Sequence, residues 1–185
     1  NNVTVQATMR RCVLNPDGSV NYYLHPNDST LKEDGVTPAV LDGTDGNVMV
    51  EVQKFYYKYE YNTSGSTVHS HTISLAPFDG AVVHPAFVKG GVEVDYRYFP
   101  AYEGYNNGGT LISRSGVYPT TNQTIGTFRT QAEANRAGWH QLDWLLYEAV
   151  TLLCIIEYGT MDLQTALGQG RTMLTGGSWT GGSLI

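Results

Sequence analysis

Residues 141–170 read QLDWLLYEAVTLLCIIEYGTMDLQTALGQG, and the fold turns on this stretch. No Gly or Pro occurs between Gln141 and Tyr158, and Leu142, Leu145, Leu146, Ala149, Val150, Leu153 and Ile156 recur at the three- and four-residue spacing of one helical face. Trp144, Leu152 and Ile155 add apolar groups to the remaining face, and a helix apolar nearly all round is expected to be buried against more than one partner. Asp143 or His140 can supply first-turn polarity, and Gly159 can take the left-handed conformation that closes a helix. At roughly 18 residues the segment approaches membrane-spanning length. Asp143, Glu148 and Glu157 inside or at its edge, with no Lys/Arg anchors beside it, point to a soluble core helix and against membrane insertion.

The chain of 185 residues is most simply one domain, to which a small N-terminal appendage can be added. Seventeen Asp+Glu against 11 Lys+Arg give a formal charge of −6, and the bases occur only as pairs and singles such as Arg10-Arg11, Lys54, Lys58 and Arg171. Nucleic-acid binding needs clustered cations, so it is set aside. Charged residues make up 15%, against roughly 25% in an average domain, while Gly numbers 21 and Tyr 13. Such a composition relies on turns, strands and aromatic contact, as extracellular and virion proteins often do. Cys12 and Cys154 could pair only if the first strand packs beside the core helix; Cys154 reads as a small buried hydrophobe. The sequence opens with Asn1-Asn2, so a processed or excised piece, or one starting inside a longer chain, is expected. The N-x-S/T tripeptides at Asn2, Asn27, Asn62 and Asn122 read as chance in a chain rich in Asn and Thr.

Working outward, Val3 to Leu14 predicts a strand, Asn15-Pro16-Asp17-Gly18 a turn and Val20 to Leu24 the returning strand. His25 to Asp42 is polar and reads as a long surface loop. Val48 to Tyr61, valine-rich and then aromatic, carries the strongest strand signal. It forms a hairpin with Thr67 to Leu75 across a tip at Asn62 to Ser66. Further strands are expected at Ala81 to Val88 and Val92 to Phe99. Ala101 to Gln123 is a long segment with a short apolar piece at Leu111-Ile112, and Thr127 to Ala137 a helix capped by Thr127 and stopped by Gly138. Another helical turn is expected in Met161 to Ala166, before a glycine-rich finish. These elements give an α+β fold: antiparallel hairpins packed on two adjacent helices.

Several motifs carry a family likeness. Asp45 to Val52 (DGNVMVEV), Lys54 to Tyr59 (KFYYKY), His84-Pro85-Ala86-Phe87 and Ala101-Tyr102-Glu103-Gly104-Tyr105 together resemble the C-type-lectin-fold proteins of phage tails and of retroelement-diversified tropism determinants. Phe128-Arg129, Gly138-Trp139, Leu153, Ile156 to Gly159, Gln164 and Gly168 to Gly170 look like that family's two-helix core. Gly176-Gly177-Ser178-Trp179 resembles an element shared with the formylglycine-generating-enzyme branch. The resemblance implies a C-type-lectin-like domain over residues 43–185. Residues 1–42 would then be a hairpin-and-loop element for attachment or oligomerisation. The family continues past the Gly-Gly-Ser-Trp element into strands bearing variable contact residues, whereas this sequence stops at Ile185; the domain is expected to be truncated there or not to use those loops. The enzyme branch needs a pair of reactive cysteines in its C-terminal part that nothing here matches, and Cys154 sits in an apolar helix where a thiol is inert.

The chemistry-bearing residues are few. His69 and His71 project from one face of a strand and, with His84 or Asp79, are the weak candidates for a metal; the alternative is two polar residues on a solvated face. Glu157 is expected to accept N–H bonds that fix the following loop. With no nucleophile elbow, metal signature or calcium-lectin carboxylate set, neither an enzyme nor a cofactor is expected. Tyrosine provides broad amphipathic area at low entropy cost. The contact candidates are therefore Tyr96, Tyr98, Tyr102, Tyr105, Asn106, Asn107 and Trp179, while the tyrosines of Phe55 to Tyr61 serve either core or contact. The expectation is a non-enzymatic phage virion protein, a tail or fibre component that binds a host-surface glycan or protein receptor. The alternative is a structural virion component, such as a head fibre, decoration or baseplate protein. Its partners would be other virion proteins, its location the extracellular particle, and its state a homo-oligomer, with a trimer favoured and Val3 to Leu24 near the subunit interface.

Overall fold

The computed structural model describes residues 4–62, 68–168, 173–175 and 178–180. After a 3-10 turn at Gln6–Thr8 come β1 (Arg10–Leu14), β2 (Val20–His25), β3 (Asp28–Lys32), β4 (Asn47–Gln53), β5 (Tyr56–Asn62) and β6 (Val68–Ser74). Short strands β7 (Val82–Val83), β8 (Val88–Lys89) and β9 (Val92–Glu93) surround a 3-10 turn at Pro85–Phe87. Then follow β10 (Tyr96–Pro100), β11 (Gly104–Asn107), β12 (Thr110–Ser113), α1 (Ile125–Glu133), α2 (Trp144–Tyr158), α3 (Leu163–Leu167), and the pair β13 (Met173–Thr175) and β14 (Ser178–Thr180). This is an α+β fold with antiparallel sheets. Of the expected features, Val3, most of the Asn62-to-Ser66 tip, Gln169-Gly170 and Gly176-Gly177 lie outside the described residues.

The main sheet has the order β10-β4-β1-β2-β3. Cys12, Val13 and Leu14 are buried consecutively, which requires cover on both faces, since side chains alternate along a strand. On one face Cys12, Leu14 and Met49 pack with Tyr23, Tyr98 and Trp139. On the other, Val13, Leu24 and Val48 pack with Tyr22, Leu41 and Tyr102. Residues 1–42 are therefore no appendage with little core of its own: they supply three of the five strands, including the central one, and part of a polar segment expected to be loop is β3. Gly46, at φ +133°, allows the chain to pass close to β1, because a Cβ there would lie 2.1 Å from the Leu14 carbonyl oxygen.

The predicted strand Val48 to Tyr61 is broken in two at Lys54-Phe55, and its halves belong to different sheets. The Lys54 N–H still donates to Asp95 beside β10, while the Phe55 carbonyl accepts from His84 beside β7. At this joint Phe55 is fully buried with Val52, Phe87, Ala149, Leu152 and Leu153 in the largest core cluster. α2 closes that cluster. Its N-cap is Asp143, whose carboxylate accepts from the Leu146 N–H, and its C-cap is Gly159 in the left-handed conformation, as the sequence leads one to expect. Burial on all sides does not follow, since Leu146, Ala149, Leu152 and Leu153 are buried but Trp144 is 73% exposed and Leu145 and Tyr147 lie outside with it. α1 starts earlier than its pattern suggests, because Thr124 rather than Thr127 caps it. It packs mainly on β12, whereas α2 packs on β10 and the Pro85–Phe87 turn. Cys12 and Cys154 are both free thiols.

Candidate functional site

Two adjoining hollows, about 270 and 280 Å³, lie beside β10 and share Met49, Arg97, Tyr98, Trp139 and His140 as walls. The first also meets the β1–β2 turn at Asp17-Gly18. The second runs under Tyr102 and Leu111 toward Asn135 and Leu146. The strand geometry explains the shared wall: Tyr98 stands opposite Glu51 on β4, so it projects from the same sheet face as Met49, two residues from Glu51.

The polar ends of both aromatic walls are tied to the protein. The Tyr98 hydroxyl donates to Glu51 Oε2 at 3.1 Å, and the Tyr23 hydroxyl donates to the same oxygen at 2.9 Å. Glu51 is a buried carboxylate satisfied by two phenols. Burial first, and then Glu51, pushes the Tyr23 hydroxyl up to about 12 and Tyr98 in the same direction. Trp139 Nε1 donates to the Pro16 carbonyl at 2.8 Å. With these handles occupied, the two residues offer mainly carbon surface to the hollows.

Charge gathers at the other side. Arg97 donates to Asp143 Oδ2 at 2.7 Å and to the Ala86 carbonyl, and Lys89 Nζ lies 3.3 Å from both Asp143 Oδ2 and His140 Nε2. Burial alone would raise the Asp143 carboxyl, but the bonds from Arg97, the Leu146 N–H and Lys89 bring it to about 2. Burial pushes the Cys12 thiol up to about 12, aided by Glu51, and that of Cys154 up as well, so both are poor nucleophiles.

Of the expected contact residues, Tyr98 and Tyr102 are brought together in the second hollow. Tyr96 is exposed at the start of β10. Tyr105 lies under Arg114, 5.4 Å from ring centre to guanidinium. The Asn106 side chain closes the β11–β12 turn by accepting from the Gly109 N–H, and Asn107 is exposed at the same turn. These four do not line the hollows. The Trp179 side chain lies outside the described residues. Arg97, Trp139 and His140 escape a reading based on tyrosine-rich stretches, although Gly138-Trp139 is a visible motif.

On the β5–β6 hairpin one face begins in the core, with the Tyr57 ring 4.9 Å from His84, and emerges at the exposed Tyr59 and Tyr61. His69 stacks there on Tyr59 and His71 lies tilted against it, and the Tyr59 hydroxyl meets His69 Nδ1. Among the described residues no group of three or more His, Cys, Asp and Glu is arranged to hold a metal.

His84 is fully buried among Phe55, Tyr57 and Phe87. Its Nδ1 accepts from the Ala86 N–H, so the proton belongs on Nε2, which lies 2.8 Å from Glu148 Oε2 in an approach too poorly aligned for a hydrogen bond. Burial lowers the His84 pKa from 6.5, and Glu148 opposes that shift without cancelling it. The unfolded chain then binds this proton more readily than the folded one. Its contribution to stability is complete above the unfolded value and declines as pH falls below about 6.5 toward the folded pKa. We expect the melting temperature of the protein to drop between about pH 7.5 and 5, and His84→Phe to show a flatter pH dependence. Equal slopes for the two proteins would remove His84 as the cause.

No protein-family model, no curated protein and no solved structure matches this chain.

Proposed function

We propose that the chain is a non-enzymatic virion protein, a phage tail or fibre component whose C-type-lectin-like domain binds a host-surface receptor through the paired hollows beside β10. One observation carries this reading: Tyr98 and Trp139 line both hollows with their hydrogen-bonding groups engaged elsewhere. Fixed aromatic surface flanked by a few polar side chains suits a sugar ring, whose C–H faces pack on aromatic carbon while its hydroxyls seek polar edges. The virion setting is inferred from the resemblance of the quoted motifs to phage-tail proteins. Both cysteine thiols being held protonated by burial fits a binding role rather than covalent catalysis.

The test is binding of the purified protein to host cells and to immobilised glycans. Trp139→Ala is expected to weaken binding by about tenfold or more, as for a central aromatic contact, while Trp139→Phe keeps most of it. Binding that Trp139→Ala leaves intact would move the site elsewhere.

The second reading, a structural virion component, draws on the outer face of α2, where Trp144, Leu145 and Tyr147 are exposed together. The apolar residues of β1 and β2 are used inside the chain, so a homo-oligomer, trimeric or otherwise, would bury this α2 face instead.

A further inference from the structure

We infer that the ligand taken by the hollows beside β10 is an acidic saccharide, a sugar bearing a carboxylate, read by Arg97 and His140 in their lining and by Lys89 next to His140. The inference rests on the receptor-binding reading above and names the ligand class of that site.

The observation is one of charge distribution. The chain carries 17 acidic residues against 11 basic ones. Yet the second hollow has Arg97 and His140 in its lining and no Asp or Glu at all. The first has a single carboxylate, Asp17 at its β1–β2 turn edge, whose Oδ1 accepts from the backbone N–H and hydroxyl of Ser19. Beside the shared wall one carboxylate, Asp143, serves two cations, Arg97 and Lys89, while the Glu51 carboxylate behind Tyr98 is capped by two phenol hydroxyls and does not face the hollows. The two cations are placed differently. The Arg97 side chain is only 11% exposed and is bonded to Asp143 and Ala86, which makes it a fixed source of field. The Lys89 side chain is 44% exposed, and its contacts to Asp143 and His140 are long at 3.3 Å, so its ammonium can turn to a ligand. His140 Nδ1 lies 2.7 Å from the Gln141 carbonyl, which places its proton there and leaves Nε2 pointing toward Lys89. A carboxylate entering beside Tyr98 and Trp139 meets this rim, while the rest of the negatively charged surface repels it. The rim therefore supplies both affinity and register. A neutral sugar of the same shape gains only the aromatic contact.

The experiment uses the full chain against immobilised oligosaccharides containing uronic or sialic acids, each paired with its methyl-esterified form, which removes the charge and little else. The acidic forms are expected to bind about tenfold more tightly than their esters, as charge-assisted bonds require, and to weaken as salt is raised. Lys89→Gln is expected to weaken the acidic forms about threefold, the range of an exposed charge contact, and to change ester binding much less. Equal binding of acid and ester would overturn the acidic-ligand inference while the receptor-binding reading stands. Failure of every sugar pair together with failure to bind host cells would overturn both. An acid preference untouched by Lys89→Gln would overturn the assignment of the rim as its reader.

Discussion

Deleting residues 1–42 abolishes folding: the fragment 43–185 is expected to be insoluble or to lack a cooperative thermal transition. The deletion removes β1, β2 and β3, so β4 loses the neighbour paired with it from Asn47 to Glu51. It also removes Cys12, Val13, Leu14 and Leu24, all buried, and exposes the Val48 and Met49 side chains they cover. Each large apolar residue lost from a core costs about 2–5 kcal/mol. Four of them reach or exceed the ~5–15 kcal/mol stability of a typical domain. Circular dichroism and a thermal melt of the fragment decide the matter. A soluble fragment that melts cooperatively would reinstate a separate N-terminal element, contrary to the pairing of β1 with β4.

Leu153→Asp has an effect of similar size from a single atom group. Leu153 is 2% exposed and packs with Val52, Phe55, Phe87, Ala149 and Leu152 where α2 closes the largest cluster. A carboxylate there would sit among the apolar side chains of this cluster, and either its ionised form is buried unpaired or it is kept protonated; both cost several kcal/mol on top of the lost packing. Trp144→Asp on the opposite face serves as the control. Trp144 is 73% exposed, so the change is expected to stay within about 0.5 kcal/mol. Equal loss of soluble protein in both variants would mean that the outer face of α2 is also covered, as it would be in an obligate oligomer.

What the sequence discloses about this fold is its local order. Asp143 and Gly159 mark the ends of α2 because caps act within one turn, and the Asn15-to-Gly18 turn marks the first hairpin because turn chemistry is equally short-range. The break at Lys54-Phe55 is not legible, since Phe55 continues an apolar and aromatic run without a Gly or Pro. Only the partners, β10 on one side and β7 on the other, reveal the change of sheet. β3 is missed because DSTLK lacks a buried face, as suits an edge strand. The site is hidden for the same reason. Tyr98 reads as surface aromatic until Glu51, 47 positions away, is found holding its hydroxyl. Arg97 reads as one base among few until Asp143, 46 positions away, is found beside it.

The joint at Phe55 also bears on how the chain is made. Val52 and Phe55 leave the ribosome before the α2 side chains that cover them, Leu152 and Leu153, which are translated roughly a hundred residues later, about 5–20 s at ordinary elongation rates. For that interval the nascent chain carries a buried-to-be aromatic cluster with no lid. β10 and its partner strand β4 face the same delay on a shorter scale. α2 is thus the part that protects the preceding sheets during synthesis, and a ribosome stalled between β10 and α2 holds a chain with adhesive apolar surface that these strands cannot cover alone.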